Sequence, residues 1–186
     1  MEHKKVLKFL KIMGIIFVTL SVINIVFIII LNFTEFNFVG SSVLLAEFIY
    51  FGNLIPLSGT ILWIFLNISM ICFLLLGLFI YKLSVKDKIQ SRSLAKYLVV
   101  IGMVLLINGL IKLNYLVLLG KVKLSPTSGS IAFQSALYDL DITSLIPAVI
   151  WVFFISADCC FMIGALFITA TGIKWTLLQE ETDSQK

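Results

Sequence analysis

Four long apolar runs constrain this sequence more than any other feature. They cover roughly residues 9–31, 60–81, 96–118 and 145–173. A helix needs about 20 apolar residues to cross the hydrocarbon core of a bilayer. A membrane barrel would need short segments that alternate in polarity, and these runs are continuous. Because a helix satisfies its own backbone hydrogen bonds in lipid, we expect four membrane-spanning helices.

The composition supports the same interpretation. The chain has 186 residues, of which 60% are hydrophobic and 13% charged, whereas a soluble domain carries about 25% charged residues. We therefore expect an all-α integral membrane four-helix bundle that forms a single membrane domain over residues 1–186. Its outer links are residues 32–59 and 119–144, and its inner link is residues 82–95.

Short interfacial helices are expected in the two outer links. The first link contains the stretch "SSVLLAEFIYF", in which Ser41 or Ser42 fits the N-cap of a helix. The second contains "SGSIAFQSALYDLD", with Ser128 or Ser130 in the same role. Such helices would lie on the membrane face. No residue-level repeat is evident between the two halves, so we expect them to share their layout only.

The distribution of positive charge predicts the orientation, because loops rich in Lys and Arg stay in the cytoplasm. Basic residues lie before or at the start of the first span and in or directly beside the inner link: Lys4, Lys5, Lys8, Lys11, Lys82, Lys86, Lys88, Arg92 and Lys96. The first outer link has no Lys or Arg, and in the second Lys121 and Lys123 are offset by Asp139 and Asp141. We expect a multi-pass protein of the cell membrane with both termini cytoplasmic.

The same charges indicate which partners to expect. Topology accounts for the basic clusters, and contact with anionic lipid is a sufficient second role, so no nucleic acid is needed to explain them. The expected partners are the lipid bilayer and either another membrane protein or a second copy of this chain.

Aromatic residues near the span ends predict membrane anchoring. Trp63 and Trp151 lie near the outer ends of their spans, and Trp175 lies at the inner end of the fourth. Tryptophan is enriched at membrane–water interfaces, because its amphipathic ring can contact both lipid and water. We expect these three side chains to form part of an aromatic belt.

Polar side chains inside the spans are the candidate site. Asp158 lies within "FFISADCCFMIGALF", and the other spans contribute Asn24, Asn67, Asn108 and Lys112. A charge in the bilayer centre costs at least about 2.5–3.5 kcal/mol on insertion scales. Asp158 should therefore face the bundle interior at a level similar to that of Asn108. The sharper form of this prediction is an ion pair with Lys112, which shares a helix face with Asn108 four residues earlier and would have to point inward instead of toward the outer interface.

Three roles for this intramembrane polar layer stay open from the sequence. The first is a buried network that fixes helix register and does nothing else. The second is a small polar cavity that binds an ion, a proton or a ligand headgroup. In the third, Asp158 pairs with another membrane protein.

Catalytic signatures are absent from the sequence. It contains no GxSxG, HExxH, P-loop or dinucleotide fingerprint. The three cysteines have no CxxC spacing, and the sole histidine is His3, so no metal and no cofactor are expected. We expect a non-enzymatic membrane protein that acts by association or small-ligand sensing. The alternative is a transporter or channel subunit that uses the polar layer.

The second and third spans and their link carry a family resemblance. They read "LLGLFIYKLSVKDKIQSRSLAKYLVVIGMVLLINGL", with "YKL" at Tyr81–Leu83, then Ser93, Lys96 and "IG" at Ile101–Gly102. The tail contains "LLQEETD". These pieces resemble the YoaS-like family of small bacterial four-span membrane proteins, which have a basic inner link. The resemblance implies a four-span layout and no particular activity.

Overall fold

The structure is a computed structural model that describes residues 2–38, 41–51, 55–85, 91–124 and 130–184. Parts of the predicted inner link, and Ser128, lie outside these residues. In chain order the elements are α1 (Glu2–Asn32), β1 (Glu35–Phe38), β2 (Ser41–Leu44), α2 (Leu45–Tyr50), α3 (Leu57–Val85), α4 (Ser91–Gly120), β3 (Lys123–Leu124), β4 (Ile131–Ala132), α5 (Phe133–Tyr138) and α6 (Leu145–Ser184).

The four long helices confirm the predicted all-α four-helix bundle. Each predicted span lies within one of α1, α3, α4 and α6, and each helix extends beyond its span, α6 as far as Ser184. All four are long and apolar enough to cross a membrane. Only 33% to 44% of their most apolar windows is buried within the protein. The remaining apolar surface needs lipid around it, because soluble proteins rarely expose large apolar patches.

The two longer links differ from the prediction of helices alone. Each contains an antiparallel hairpin followed directly by a six-residue helix. Ser41 and Ser42 lie in β2, and the N-cap of α2 is Leu44, without a side-chain hydrogen bond. Strands of two and four residues are too short for alternating polarity to be recognised in a sequence. We call β1, β2 and α2 the first hairpin module, and β3, β4 and α5 the second.

The halves of the chain repeat at the level of individual residues, contrary to expectation. Element boundaries recur 88 positions later: Asn32 and Gly120, Leu45 and Phe133, Tyr50 and Tyr138, Leu57 and Leu145. Identical residues at that spacing include Gly14 and Gly102, Trp63 and Trp151, Cys72 and Cys160, Phe73 and Phe161, and Phe79 and Phe167. The chain is therefore a tandem repeat of a helix, a hairpin module and a helix.

Backbone hydrogen bonds repeat at the same spacing. Leu45 N donates to Thr34 O at 2.9 Å, and its counterpart Phe133 N donates to Val122 O at 2.8 Å. Each bond ties the start of a short helix to the residue just before its own hairpin. The two hairpin modules therefore have the same construction despite their different sequences.

Contacts between the halves show an approximate two-fold relation. The rings of Phe27 and Phe153 lie 4.9 Å apart, and those of Phe65 and Tyr115 lie 5.7 Å apart. Tyr115 stands 88 residues after Phe27, and Phe153 stands 88 after Phe65. One ring pair is therefore the repeat counterpart of the other, with the contributions of the two halves exchanged. This is the arrangement found at a two-fold interface.

The chain divides into two compact units. We call Met1–Val22, Cys72–Leu110 and Cys159–Lys186 the tail unit, and Ile23–Ile71 with Ile111–Asp158 the hairpin unit. Every long helix contributes residues to both. Whether the whole chain acts as a single membrane domain stays a prediction.

Three aromatic side chains form the centre of the hairpin unit. Trp63 and Trp151, 0% and 1% exposed, both make edge contacts with Phe133, at 6.2 and 5.6 Å between ring centroids. Both tryptophans therefore belong to the core, and the prediction that they anchor the protein in the membrane interface is wrong for them. The first residue of α5 reaches between them and joins the second hairpin module to the long helices.

The tail unit depends on close helix contacts. A Cβ on Gly14 would lie 2.8 Å from Tyr81 N, and one on Gly102 would lie 2.8 Å from Thr169 N. These two contacts are counterparts in the repeat, and glycine at a crossing lets two helix backbones approach closely. Phe73 and its counterpart Phe161 stack on each other at 4.1 Å.

Candidate functional site

Lys112 and Asp158 form a buried ion pair within the hairpin unit. Lys112 Nζ lies 3.9 Å from Asp158 Oδ1, and both side chains are 0% exposed. Lys112 belongs to α4 and Asp158 to α6. The pair therefore joins two helices of the second half, in a place where water is excluded and an isolated charge is costly.

The ammonium group has a second contact on α6. Lys112 Nζ donates to the carbonyl oxygen of Phe154 at 3.5 Å. Phe154 stands four residues before Asp158, so the carbonyl and the carboxylate lie on one face of the helix. α6 therefore presents two oxygen acceptors to one buried cation, which keeps the long lysine side chain inside the protein.

The carboxylate is less completely satisfied. Among the residues that the structure describes, neither oxygen of Asp158 accepts a hydrogen bond. Its charge is balanced only by the ammonium at 3.9 Å, a separation longer than the 2.7–2.9 Å of a charge-assisted hydrogen bond. A buried polar group in this state calls for an explanation, such as a bound water, an ion or a functional role.

The repeat gives this pair an uncharged counterpart. Lys112 corresponds to Asn24 and Asp158 corresponds to Met70, each 88 residues earlier. Asn24 and Met70 are both 1% exposed and both belong to the hairpin unit. The same two buried positions are therefore occupied by an ion pair in the second half and by two uncharged residues in the first.

The other two predicted members of the polar layer are different. Asn67 is half-buried, and its Nδ2 donates to Trp63 O of its own helix at 2.7 Å. Asn108 is half-buried and belongs to the tail unit. Within the hairpin unit the structure brings Lys112 and Asp158 together, whereas the bond from Asn67 to Trp63 stays within α3.

A surface feature that sequence reasoning missed lies beside the C-terminal end of α4. A shallow depression of about 810 Å³ is lined by the end of α4, by β4 and by α5 with the turn after it. We call it the α4–α5 depression; its lining includes Gly120, Lys121, Gln134, Tyr138, Asp139 and Leu140. The only sequence signal was the offset of Lys121 and Lys123 by Asp139 and Asp141. That signal does not show which of these lysines and aspartates lie close together in the structure.

Glycine shapes this depression. A Cβ on Gly120 would lie 3.1 Å from Gln134 Oε1, a tighter contact than side chains ordinarily make. Because Gly120 has no side chain, α5 can approach the end of α4. Lys121, exposed, and Asp139, half-buried, then face the same depression with opposite charges.

Metal ligands and paired thiols do not occur in the part of the chain that the structure describes. No group of three His, Cys, Asp or Glu side chains there has the geometry to hold a metal ion. Cys72, Cys159 and Cys160 are free thiols.

Four apolar helices of this length, packed into a bundle, with a buried ion pair between α4 and α6, fit a multi-pass membrane protein. No protein-family model, no curated protein and no solved structure matches the chain. The resemblance to the YoaS-like family therefore stays a prediction.

Proposed function

We propose that this protein is a non-enzymatic multi-pass protein of the cell membrane that acts by binding. It associates with another membrane protein or with a second copy of itself, or it senses a small ligand. Both termini are cytoplasmic in this proposal, which rests on the lysines before the first span and in the inner link. Its support is structural: a helical bundle with a fully buried ion pair, and two hairpin modules in the links between the spans.

The observation that carries the proposal is the complete burial of Lys112 and Asp158. Both are 0% exposed, and neither lines the α4–α5 depression. A conducting path needs its charged groups in contact with water at some stage. A sealed pair joining α4 and α6 instead supports a structural role.

A transporter or channel subunit is the second candidate, and one observation favours it. The Asp158 carboxylate accepts no hydrogen bond from the described residues, and incompletely satisfied intramembrane acids mark proton and ion pathways. In that case Asp158 would release Lys112 and accept a proton or cation during transport.

A flux measurement separates the two candidates. The purified protein would be reconstituted into liposomes containing a pH-sensitive dye, with an imposed proton or potassium gradient. We expect wild-type protein and Asp158→Asn to leak no faster than empty liposomes. Flux that requires wild-type protein and disappears in Asp158→Asn would overturn the binding proposal in favour of transport.

The matched control for that measurement is Asn67→Asp. It introduces a carboxylate at a half-buried position of α3, whose present side chain bonds only its own helix. If flux appeared with this variant but not with wild type, any added charge would open a leak, and the flux assay would not report on Asp158.

A further inference from the structure

We propose that the α4–α5 depression binds the headgroup of a zwitterionic membrane phospholipid that carries a primary ammonium group. Lys121 would contact the phosphate and Asp139 the ammonium. This inference rests on the proposed function, because it names a ligand class for a protein that acts by binding. The site is separate from Lys112 and Asp158.

The first argument is position along the chain. The candidate span in α4 ends at Gly120, and Gly120 and Lys121 both line the depression. Just before them, Val117 and Leu118 are 48% and 43% exposed, as expected for lipid-facing side chains. A headgroup in the depression would leave its acyl chains free to follow this surface of α4.

The repeat supplies an independent argument for the same location. The positions 88 residues before Lys121 and Asp139 are Phe33 and Phe51, which are 69% and 87% exposed. Large apolar side chains this exposed near the end of a span are suited to contact with lipid. The second half thus has a cation and an anion where the first half has two exposed phenylalanines.

The charges are available to a ligand. Within the described residues, Lys121 makes no ion pair or side-chain hydrogen bond. The Asp139 carboxylate is fixed in place because its Oδ1 accepts a hydrogen bond from Asp141 N at 3.0 Å. That bond leaves Oδ2 to accept from an ammonium group. A fixed anion and a mobile cation at one depression match the two charges of a zwitterion.

The size and lining also fit. A volume of about 810 Å³ lies within the range of about 300–1,000 Å³ that is typical of small-ligand sites. Leu140, 69% exposed, and Tyr138, 44% exposed, add apolar surface beside the charges. A lipid is favoured over a soluble zwitterion because the depression is shallow and adjoins the apolar surface of α4.

Lipid titration in detergent tests the inference. Full-length protein would be titrated with phosphatidylethanolamine or phosphatidylcholine, and the bound fraction would be measured by native mass spectrometry. We expect phosphatidylethanolamine to bind roughly fivefold more tightly, since only its ammonium can donate hydrogen bonds to Asp139. Lys121→Gln should weaken both lipids, and Asp139→Asn should remove only the preference.

Two neighbouring residues provide matched controls. Lys123→Gln and Asp141→Asn make the same charge changes at exposed positions outside the lining, and they should bind both lipids as wild type does. The inference is overturned if wild type shows no preference, if the Lys121 and Asp139 variants behave as wild type, or if the controls lose as much binding. It is also overturned if soluble phosphoethanolamine binds as tightly as the lipid, because the acyl chains would then contribute nothing and the ligand would come from solution.

The experiments distinguish a failure of the proposed function from a failure of this lipid inference. Flux that depends on Asp158 would overturn the binding proposal without changing the lipid titration. Loss of the lipid preference would leave the flux result unchanged. Unfolding midpoints of all four variants should stay at the wild-type value, because none of these side chains is fully buried.

Discussion

The first half of the chain has Asn24 and Met70 at the two buried positions where the second half has Lys112 and Asp158. Near the span ends, the first half exposes Phe33 and Phe51 where the second has Lys121 and Asp139. Element boundaries and several backbone hydrogen bonds recur at the 88-residue spacing in both halves. The frame therefore does not require charge at these positions, and charge in the second half needs a reason of its own.

The largest effect is expected when the buried pair is broken on one side. Asp158→Met would leave the Lys112 ammonium buried without its carboxylate, and should lower the free energy of unfolding by about 3–5 kcal/mol. The double change Lys112→Asn with Asp158→Met gives the second half the residues of the first and should recover most of the loss. Unfolding by SDS titration in detergent micelles measures both.

The stability of the double variant tests whether the two halves are interchangeable at these buried positions. If the double variant is as unstable as Asp158→Met, the neutral pair of the first half cannot replace the ion pair, and the two halves are not interchangeable at this level. Asn24→Ala in the first half is the control for losing a buried polar group without a charge.

A smaller and symmetrical effect is expected at the helix crossings of the tail unit. A Cβ at Gly102 would meet Thr169 Oγ1 and lie 3.0 Å from Ala165 O, and one at Gly14 would lie 2.9 Å from Tyr81 Cα. Gly14→Ala and Gly102→Ala should each lower the unfolding free energy by about 1–3 kcal/mol, because backbone atoms cannot move aside cheaply.

Ala170→Val is the control for those two variants, since Ala170 is exposed on α6. The same SDS titration measures the loss of unfolding free energy in both glycine variants. If the losses are clearly unequal, the two helix crossings share their glycine but not their packing.

A third effect concerns the tie between the halves. Thr143 Oγ1, just before α6, donates to the carbonyl oxygen of Glu35 in β1 at 3.2 Å, and Asn37 N donates to Ile142 O at 2.7 Å. Thr143→Val keeps the shape and removes one bond, so a loss of about 1 kcal/mol is expected. Hydrogen exchange at the Asn37 amide should become faster.

Thr34→Val is the comparison for Thr143→Val, because Thr34 Oγ1 donates to the carbonyl oxygen of Ile30 in the last turn of α1, within the same half, at 3.1 Å. If both variants accelerate exchange at Asn37 equally, the bond between Thr143 and Glu35 does not hold the halves together.

The smallest effect is expected on the surface of the first hairpin module. Ser42 Oγ donates to Glu35 Oε2 at 3.1 Å in an exposed position. Ser42→Ala should change the unfolding midpoint by the equivalent of less than about 0.5 kcal/mol. A change larger than that of Thr143→Val would reverse this ranking and show that the hairpin is stabilised by its own side chains.

The sequence predicts the parts of this structure that depend on hydropathy. The four spans follow from apolar runs, and the contact between Lys112 and Asp158 follows from the cost of a charge in lipid. The repeat was missed because many of its identities are leucine, isoleucine and phenylalanine, which occur everywhere in a span. Boundaries such as Tyr50 and Tyr138 become visible only once the elements are defined.

Other features depend on tertiary contacts that no local pattern encodes. The hairpins are too short for alternation, and the burial of Trp63 and Trp151 depends on Phe133 arriving from another element. The α4–α5 depression depends on the missing side chain of Gly120. In each case the informative neighbour is distant in the sequence.

The ion pair also has a consequence for biosynthesis. Lys112 is made 46 residues before Asp158, so α4 must leave the ribosome while its buried cation still lacks its carboxylate. A chain truncated before α6 would leave a lysine in the membrane without this partner, which is a recognisable defect for membrane quality control. Synthesis of the fourth helix therefore supplies the carboxylate that balances this charge.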